Sequence, residues 1–324
     1  MSWITAALFL GFTLAPAPHL SAQTASVADR SAALDTLFKD VWEDHLKRSP
    51  EFASAIGDRR YNDQLTDLSA SAFNDELARR RVFLTRLLTI DTTGLPERQR
   101  VSAELLQRQL TEDEEAARFK QWELPIQQGF GVQANLVGMI EEAPFATVKD
   151  YDDYIARLHK IPAQLRQASE NLLAGIDDHR VQPASVINEA LVETEQMAGQ
   201  KPEVSPFAIP LARFPAGIDA PTRKRISAEL LDAVQTDVLP AYARFARFLR
   251  VVELPAATRK DPLPDHPFSF EAFELRILGL RSGAKGALGP KFNLQGFHDV
   301  VASSEALPLD TIAQRVDAWI AASR

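Results

Sequence analysis

Residues 31–48 read Ser-Ala-Ala-Leu-Asp-Thr-Leu-Phe-Lys-Asp-Val-Trp-Glu-Asp-His-Leu-Lys-Arg. Within this stretch Leu34, Leu37, Phe38, Val41, Trp42 and Leu46 recur at intervals of three and four, which places them on one helical face. The pattern repeats along most of the chain. Ser49-Pro50 starts a short helix, with Ser as cap and Pro in the first turn, and Gly57 ends it. Ser69 opens the next, whose face is Phe73, Leu77, Leu84, Leu87 and Leu88. Pro96 opens another, through Val101, Leu105, Leu106 and Leu110. From Trp122 to Phe145 the period fades, and Gly129, Gly131 and Gly138 among apolar residues predict a loop-rich crossing segment. Helical order returns with Tyr151, Tyr154, Ile155 and Leu158, capped by Thr147 with Asp150 at the third position. Pro162 begins a helix through Leu165, Ala168, Leu172 and Ile176, and Pro183 begins one through Val186, Ile187, Ala190, Leu191 and Met197.

The four prolines of residues 202–217, interleaved with Phe207, Ile209, Leu211 and Phe214, predict an apolar extended loop packed on the surface. A long helix is expected from Pro221 to about Val252, kinked at Pro240. Pro255, Pro262, Pro264 and Pro267 then interrupt any period. Three helices close the chain. The first runs from Phe268 to Leu288 and stops at Gly289-Pro290, a short one is capped by Asn293, and the last starts at Pro308. No strand alternation of useful length and no internal repeat is seen. The expected class is mainly α, a multi-helix array, with an N-terminal helical region at 30–254, a Pro-rich junction at 255–267 and a C-terminal helical region at 268–324.

With 45% hydrophobic and 25% charged residues, the 324-residue chain has the composition of a globular protein large enough for a sizeable core. Its net charge of −8 disfavours nucleic acid and anionic membranes as partners. The absence of cysteine excludes disulfides, thiolate catalysis, Cys-ligated zinc and a lipid-carrying cysteine. Ile4 to Ala15 is an apolar run too short to span a bilayer; Pro16, Pro18 and the small-residue site Leu20-Ser21-Ala22 come after it. Residues 1–22 therefore read as a signal peptide. The mature protein is expected in the periplasm or secreted, with no stable membrane span.

Catalytic motifs are missing. A helical zinc site needs two His one turn apart, but His19, His45, His159, His179, His266 and His298 are all farther apart, and none precedes Glu. Gly279-Leu280-Arg281-Ser282-Gly283 lacks the spacing of a nucleophile elbow, and Gly283-Ala284-Lys285-Gly286 lacks that of a phosphate loop. Asp177-Asp178-His179 reads as a solvated helix end and Glu112-Asp113-Glu114-Glu115 as a solvated helix face. Two weak catalytic candidates remain. Glu141 and Glu142 fall in the glycine-containing loop segment, and His298 and Asp299 place an imidazole beside a carboxylate on a short helix. No metal ligand and no cofactor-binding residue is assigned.

Several stretches together resemble the bacterial exported family known as domain of unknown function 885. They are Ser49-Pro50-Glu51-Phe52-Ala53 through Gly57-Asp58-Arg59-Arg60-Tyr61-Asn62-Asp63; Phe145-Ala146-Thr147-Val148 with Tyr151, Tyr154 to Leu158 and Ile161-Pro162; Leu239-Pro240-Ala241-Tyr242; and the tail, with Leu288-Gly289, Lys291-Phe292, Phe297-His298-Asp299, Pro308-Leu309-Asp310 and Val316 to Ile320. The resemblance implies a large helical fold similar to helical zinc metallopeptidases. It places a His-Glu segment and a Pro-Gly-His between the third and fourth stretches. Here only the Pro255 to Pro267 break lies there, so the scaffold is incomplete. Zinc is implied for the full-length family only, and none of its ligands carries over. Phe270 and Phe273 stand where the family's Tyr and Gly are expected, and Ser303-Ser304-Glu305 replaces a glycine turn. The resemblance thus implies a non-catalytic, internally shortened member. The rivals are a hydrolase using residual residues and a periplasmic binding module that offers exposed apolar helix faces to a peptide or protein partner.

Overall fold

The computed structural model describes residues 25–127, 130–257, 270–303 and 309–323. The signal segment 1–22, the Pro-rich junction from 258 onward, Ser304-Glu305, the start at Pro308 and the side chains of Phe270 and Phe273 lie outside the described residues. The fold is all-α. A two-residue antiparallel pair, β1 (Ile126–Gln127) with β2 (Phe130–Gly131), is the one exception among the described residues. Two compact units divide the chain, Met1–Arg259 and Lys260–Arg324.

In the first unit, α1 (Val27–Arg48), α3 (Ala70–Leu88) and α4 (Glu97–Ala117) pack around Leu34, Leu37, Phe83, Leu87, Leu95, Ala103 and Leu110. Ser26 and Asp29 form a reciprocal capping box on α1, and the Ser69 hydroxyl accepts from the Ala72 N–H at the start of α3. Two expected core positions are at the surface: Trp42 and Leu88 are exposed, while Phe83 takes the inward place on α3. Trp42 instead meets Phe52 edge-on across to α2 (Pro50–Ala55). Ser49 stands at the N-cap of α2, but its hydroxyl makes no capping bond. Gly57 ends this turn with φ at +88°, a conformation natural to glycine.

A larger core is built by α5 (Val132–Glu142), α6 (Val148–Leu158), α7 (Ile161–Asp177), α8 (Ala184–Ala198), α9 (Ala220–Ala233) and α10 (Leu239–Phe248). The loop expected over 122–145 is thus corrected: α5 occupies nearly half of it. Val132, Gln133, Leu136, Met139 and Ile140 form its buried face, while Asn135, Gly138, Glu141 and Glu142 are exposed, so its wet face carries a glycine that reads as loop. Thr147 and Asp150 form the capping box of α6, as the sequence predicts.

The expected surface loop at 202–217 is also corrected. Pro202–Val204 and Pro206–Arg213 are 3-10 turns, and Phe207, Ala208 and Pro210 are buried. Prolines remove the donors that an α-helix or a strand would need. The carbonyls left over are taken by tyrosines: Tyr154 Oη donates to the Phe207 carbonyl at 3.1 Å and Tyr151 Oη to that of Pro210 at 3.3 Å.

The long helix runs from Ala220 to Ala256, through α9, α10 and α11 (Leu254–Ala256). It widens into a π-turn at Val234–Val238 and another at Leu249–Glu253, one before each of Pro240 and Pro255. The helix therefore continues past Pro255, where the sequence pattern puts the start of a break. Wide turns make room for a proline ring that a regular α-turn would drive into the preceding carbonyl.

In the second unit, α12 (Phe270–Leu288), α13 (Leu294–Ala302) and α14 (Leu309–Ser323) share a core of Ala284, Leu288, Phe297, Ile312, Val316 and Ile320. Gly289 ends α12 with φ at +52°, and Asn293 caps α13 by accepting from the Gln295 N–H at 2.9 Å. Among the described residues no helix is long and apolar enough to cross a membrane.

Candidate functional site

A row of polar side chains runs from the end of α6 along α7. Arg157, Lys160, Gln164, Gln167 and Asn171 succeed one another at intervals of three and four, which aligns them on one side. Each grips the backbone or a side chain of residues 50–68. Arg157 is almost fully buried; its Nε donates to the Gln64 carbonyl at 2.8 Å, and its Nη2 reaches the Pro50 and Tyr61 carbonyls and Ser54 Oγ at 3.0, 3.2 and 2.6 Å. Lys160 Nζ donates to the Asp63 carbonyl, Gln164 Nε2 to that of Thr66 at 2.8 Å and Asn171 Nδ2 to that of Leu68 at 2.7 Å. Gln167 accepts from the Leu68 N–H and donates to Asp67. Burial lowers the Arg157 pKa from its ordinary value, against the opposing pull of Glu51, Asp63, Asp153 and Glu142.

The strapped segment, α5, α7 and the turn at residues 121–125 enclose a cleft of about 610 Å³. Its floor includes Gln164 and Asn171. The cleft is lined by Asn135, Gly138, Met139 and Glu142 of α5 and by Glu51, Phe52 and Thr66. Phe73 and Trp122 close one end, stacked with their centroids 5.7 Å apart and their planes at 22°.

Trp122 is held in place by its neighbours. It sits in a 3-10 turn, Gln121–Glu123, entered through Lys120 in the left-handed region (φ +44°). Glu123 is buried and pairs with Lys120 at 3.1 Å and Arg180 at 3.6 Å; Lys120 also binds Asp178. Gly175 of α7 lies beneath this turn. A Cβ there would meet the Arg180 and Glu123 carbonyl oxygens at 2.8 and 2.9 Å, so only glycine allows the approach.

Glu51 is fixed as well. Its two carboxylate oxygens accept from the Thr66 N–H at 3.0 Å and the Thr66 hydroxyl at 2.5 Å. That bracket shapes the loop and leaves Thr66 with no third group to act as an activated nucleophile. Among the described residues two carboxylates, Glu51 and Glu142, line the cleft, and no Lys, Arg or His does.

The catalytic candidates of the sequence are dispersed. Glu141 and Glu142 are exposed and close α5, so they stand on a helix end and not in a loop. Glu142 lines the cleft; Glu141 does not. His298 and Asp299 are exposed on α13 of the second unit, where Asp299 accepts from Gln295 Nε2 at 3.0 Å. Glu112 to Glu115 lie on α4, with Asp113 paired to Arg80 at 2.7 Å and Glu114 to Arg81 at 2.9 Å, so that face is cross-linked and not merely solvated. A zinc ion needs three or four converging N, O or S donors. Among the described residues no three His, Asp or Glu side chains converge, and the cleft offers two carboxylates without an imidazole. These residues do not fit the zinc that the family resemblance implies, and no step is routed through it.

Arg157, Trp122 and Glu51 carry no signal as single letters. The polar spacing of Gln164, Gln167 and Asn171 on an otherwise core-facing helix is the trace that leads to the cleft.

Fold and cleft together define an all-α helical array with a ligand-sized, aromatic-walled cavity. Residues 50–272 match the family described as bacterial protein of unknown function (DUF885), and the chain belongs to that family. Among solved structures it is similar to a crystal structure described as "the putative lipoprotein from Colwellia psychrerythraea", with a TM-score of 0.64 at 13% identity. The likeness covers 90% of this chain and 54% of that one, so the chain spans about half the length of its structural relative. At that identity the likeness is one of fold alone. No curated protein matches the chain.

Proposed function

We propose that this chain is an exported, non-catalytic member of its family that acts by binding a ligand in the cleft between α2, α5 and α7. The cleft is the observation that carries the reading. Its volume of about 610 Å³ falls within the range of small-ligand sites, and its polar groups are held in place by the α7 row. The sequence adds support: no His-Glu segment followed by Pro-Gly-His occurs in it. The stretches that should flank that block in a peptidase-like member are separated here only by Pro255 to Pro267. On this reading the chain is an internally shortened relative of a helical metallopeptidase scaffold.

The test is a direct one. Purified protein is given zinc and a broad peptide panel, with and without chelator, and turnover is tracked by mass spectrometry. The expected result is no cleavage in either arm. Cleavage lost on chelation, or in His298→Ala or Glu142→Gln, would establish the hydrolase alternative and reject this one. Export is checked on the same material, since protein recovered from the periplasm should begin near Gln23.

A further inference from the structure

We infer that the cleft selects a small organic cation, an ammonium group carried on a flat apolar body. This rests on the binding role proposed for the same cleft and names the chemistry it would accept.

The charge of the lining comes first. Glu51 and Glu142 face a cavity that no basic side chain lines. Glu142 is exposed at the cleft, and among the described residues no hydrogen bond or ion pair engages it. It is also the last residue of an eleven-residue helix with no basic residue in its final turn. A carboxylate at a helix C-terminus meets the negative end of the dipole, so the fold gains nothing from it there. A bound cation would gain from the carboxylate and from the helix end together.

Among the described residues Arg157 is the one cation seen to feel both carboxylates. It does not line the cleft, and its Nε and Nη2 are taken by Gln64, Pro50, Tyr61 and Ser54. It reduces the negative charge of the cleft without cancelling it, because two carboxylates stand against one guanidinium.

The remaining walls suit the body of such a ligand. The stacked Phe73 and Trp122, together with Phe52 in the same lining, offer aromatic surface that attracts an ammonium and buries a flat apolar group. Glu51 needs no reorganisation to receive a cation, because Thr66 already holds it. Gly138 leaves the α5 wall open, since a Cβ there would meet nothing within 4 Å.

The experiment uses three probes of one shape: phenethylamine, 2-phenylethanol and phenylacetate. Binding to the full chain is measured by titration calorimetry, with Trp fluorescence alongside. Phenethylamine is expected to bind about tenfold more tightly than the alcohol, and the carboxylate more weakly than either. The preference should shrink as salt is added. Glu142→Gln, at an exposed position, should bring amine and alcohol to within about twofold. Gly138→Phe should abolish binding of all three probes without lowering Tm. Equal binding of amine and alcohol to the wild type, or a preference that survives Glu142→Gln, overturns the inference. If the alcohol or the carboxylate binds as tightly and Gly138→Phe blocks it, the cleft remains a binding site and only the cationic class is rejected. If no probe binds at millimolar concentration, the cationic class and the binding role both fall.

Discussion

The first unit contains two cores built on different terms. The core of α1, α3 and α4 is wholly apolar. Its charges lie at the margin, as Arg48 with Asp44 at 3.1 Å, or in surface pairs, such as Arg86 with Asp40 at 2.8 Å and Arg81 with Glu114 at 2.9 Å. The core of α5 to α10 admits polar side chains into its interior or margin, among them Arg157, Gln133, Gln164, Asn171, Thr194 and Glu253. Apolar packing is tolerant of detail, because many arrangements bury the same area. Buried polar groups are not tolerant, because each needs its partner. The difference assigns roles: the first core fastens three helices together, and the second holds one particular loop path and so shapes a cavity.

The contrast breaks most visibly at Arg157. Arg157→Ala strands the Pro50, Tyr61 and Gln64 carbonyls and should cost roughly 3–5 kcal/mol of unfolding free energy. Urea denaturation measures this, and a loss below about 1 kcal/mol would show that the polar row is dispensable. Glu253 tests the same core from the other side. It is fully buried, and neither carboxylate oxygen has a partner. Burial pushes its pKa up from 4.5 to about 7. The folded state therefore holds the proton more tightly than the unfolded chain. Its stability contribution is complete below pH 4.5, falls as pH rises to about 7, and is flat beyond that. The expected loss is on the order of 3 kcal/mol, read as a falling Tm across that window. Glu253→Gln should flatten the profile; an unchanged profile would assign the pH dependence to other groups. The smallest effect belongs to the first core. Both partners of the Arg81–Glu114 pair are more than a third exposed, so Arg81→Ala should cost at most about 1 kcal/mol and less in high salt. A larger cost there would erase the distinction between the two cores.

The same contrast explains how much of the molecule is legible in its sequence. The helices of the apolar core announce themselves, because a helix with one wet face and one dry face alternates with the helical period. Leu34, Leu37 and Leu46 are buried as their spacing predicts. The capping box of Thr147 and Asp150 and the cap at Ser69 are legible for a local reason, since a cap involves only residues within one turn. Helix α5 is harder to read, because it is only about three turns long, its exposed face includes Gly138 and Asn135, and Gly129 and Gly131 just before it read as loop. The 3-10 turns at 202–213 are hidden for a different reason: the tyrosines that satisfy their carbonyls lie more than fifty residues away. The cleft is the extreme case. Glu142 stands out for its place among glycines, but its neighbours Glu51, Trp122 and Asn171 come together only through long-range contacts that no local pattern encodes.

The two π-turns of the long helix act as corrections of phase. Every residue added to a helix rotates the rest of it by about 100°, so a turn with one residue more than usual resets the azimuth of every later position. Val234–Val238 does this ahead of Pro240, and the helix then aims Tyr242, Phe245 and Leu249 inward. Tyr242 in turn donates to the Gln133 carbonyl at 2.7 Å and so anchors the first turn of α5. The turn ahead of one proline ring thereby sets the bearing of a tyrosine two positions beyond it, and through that tyrosine the seat of a cavity-wall helix whose first turn lies more than a hundred positions away in the chain.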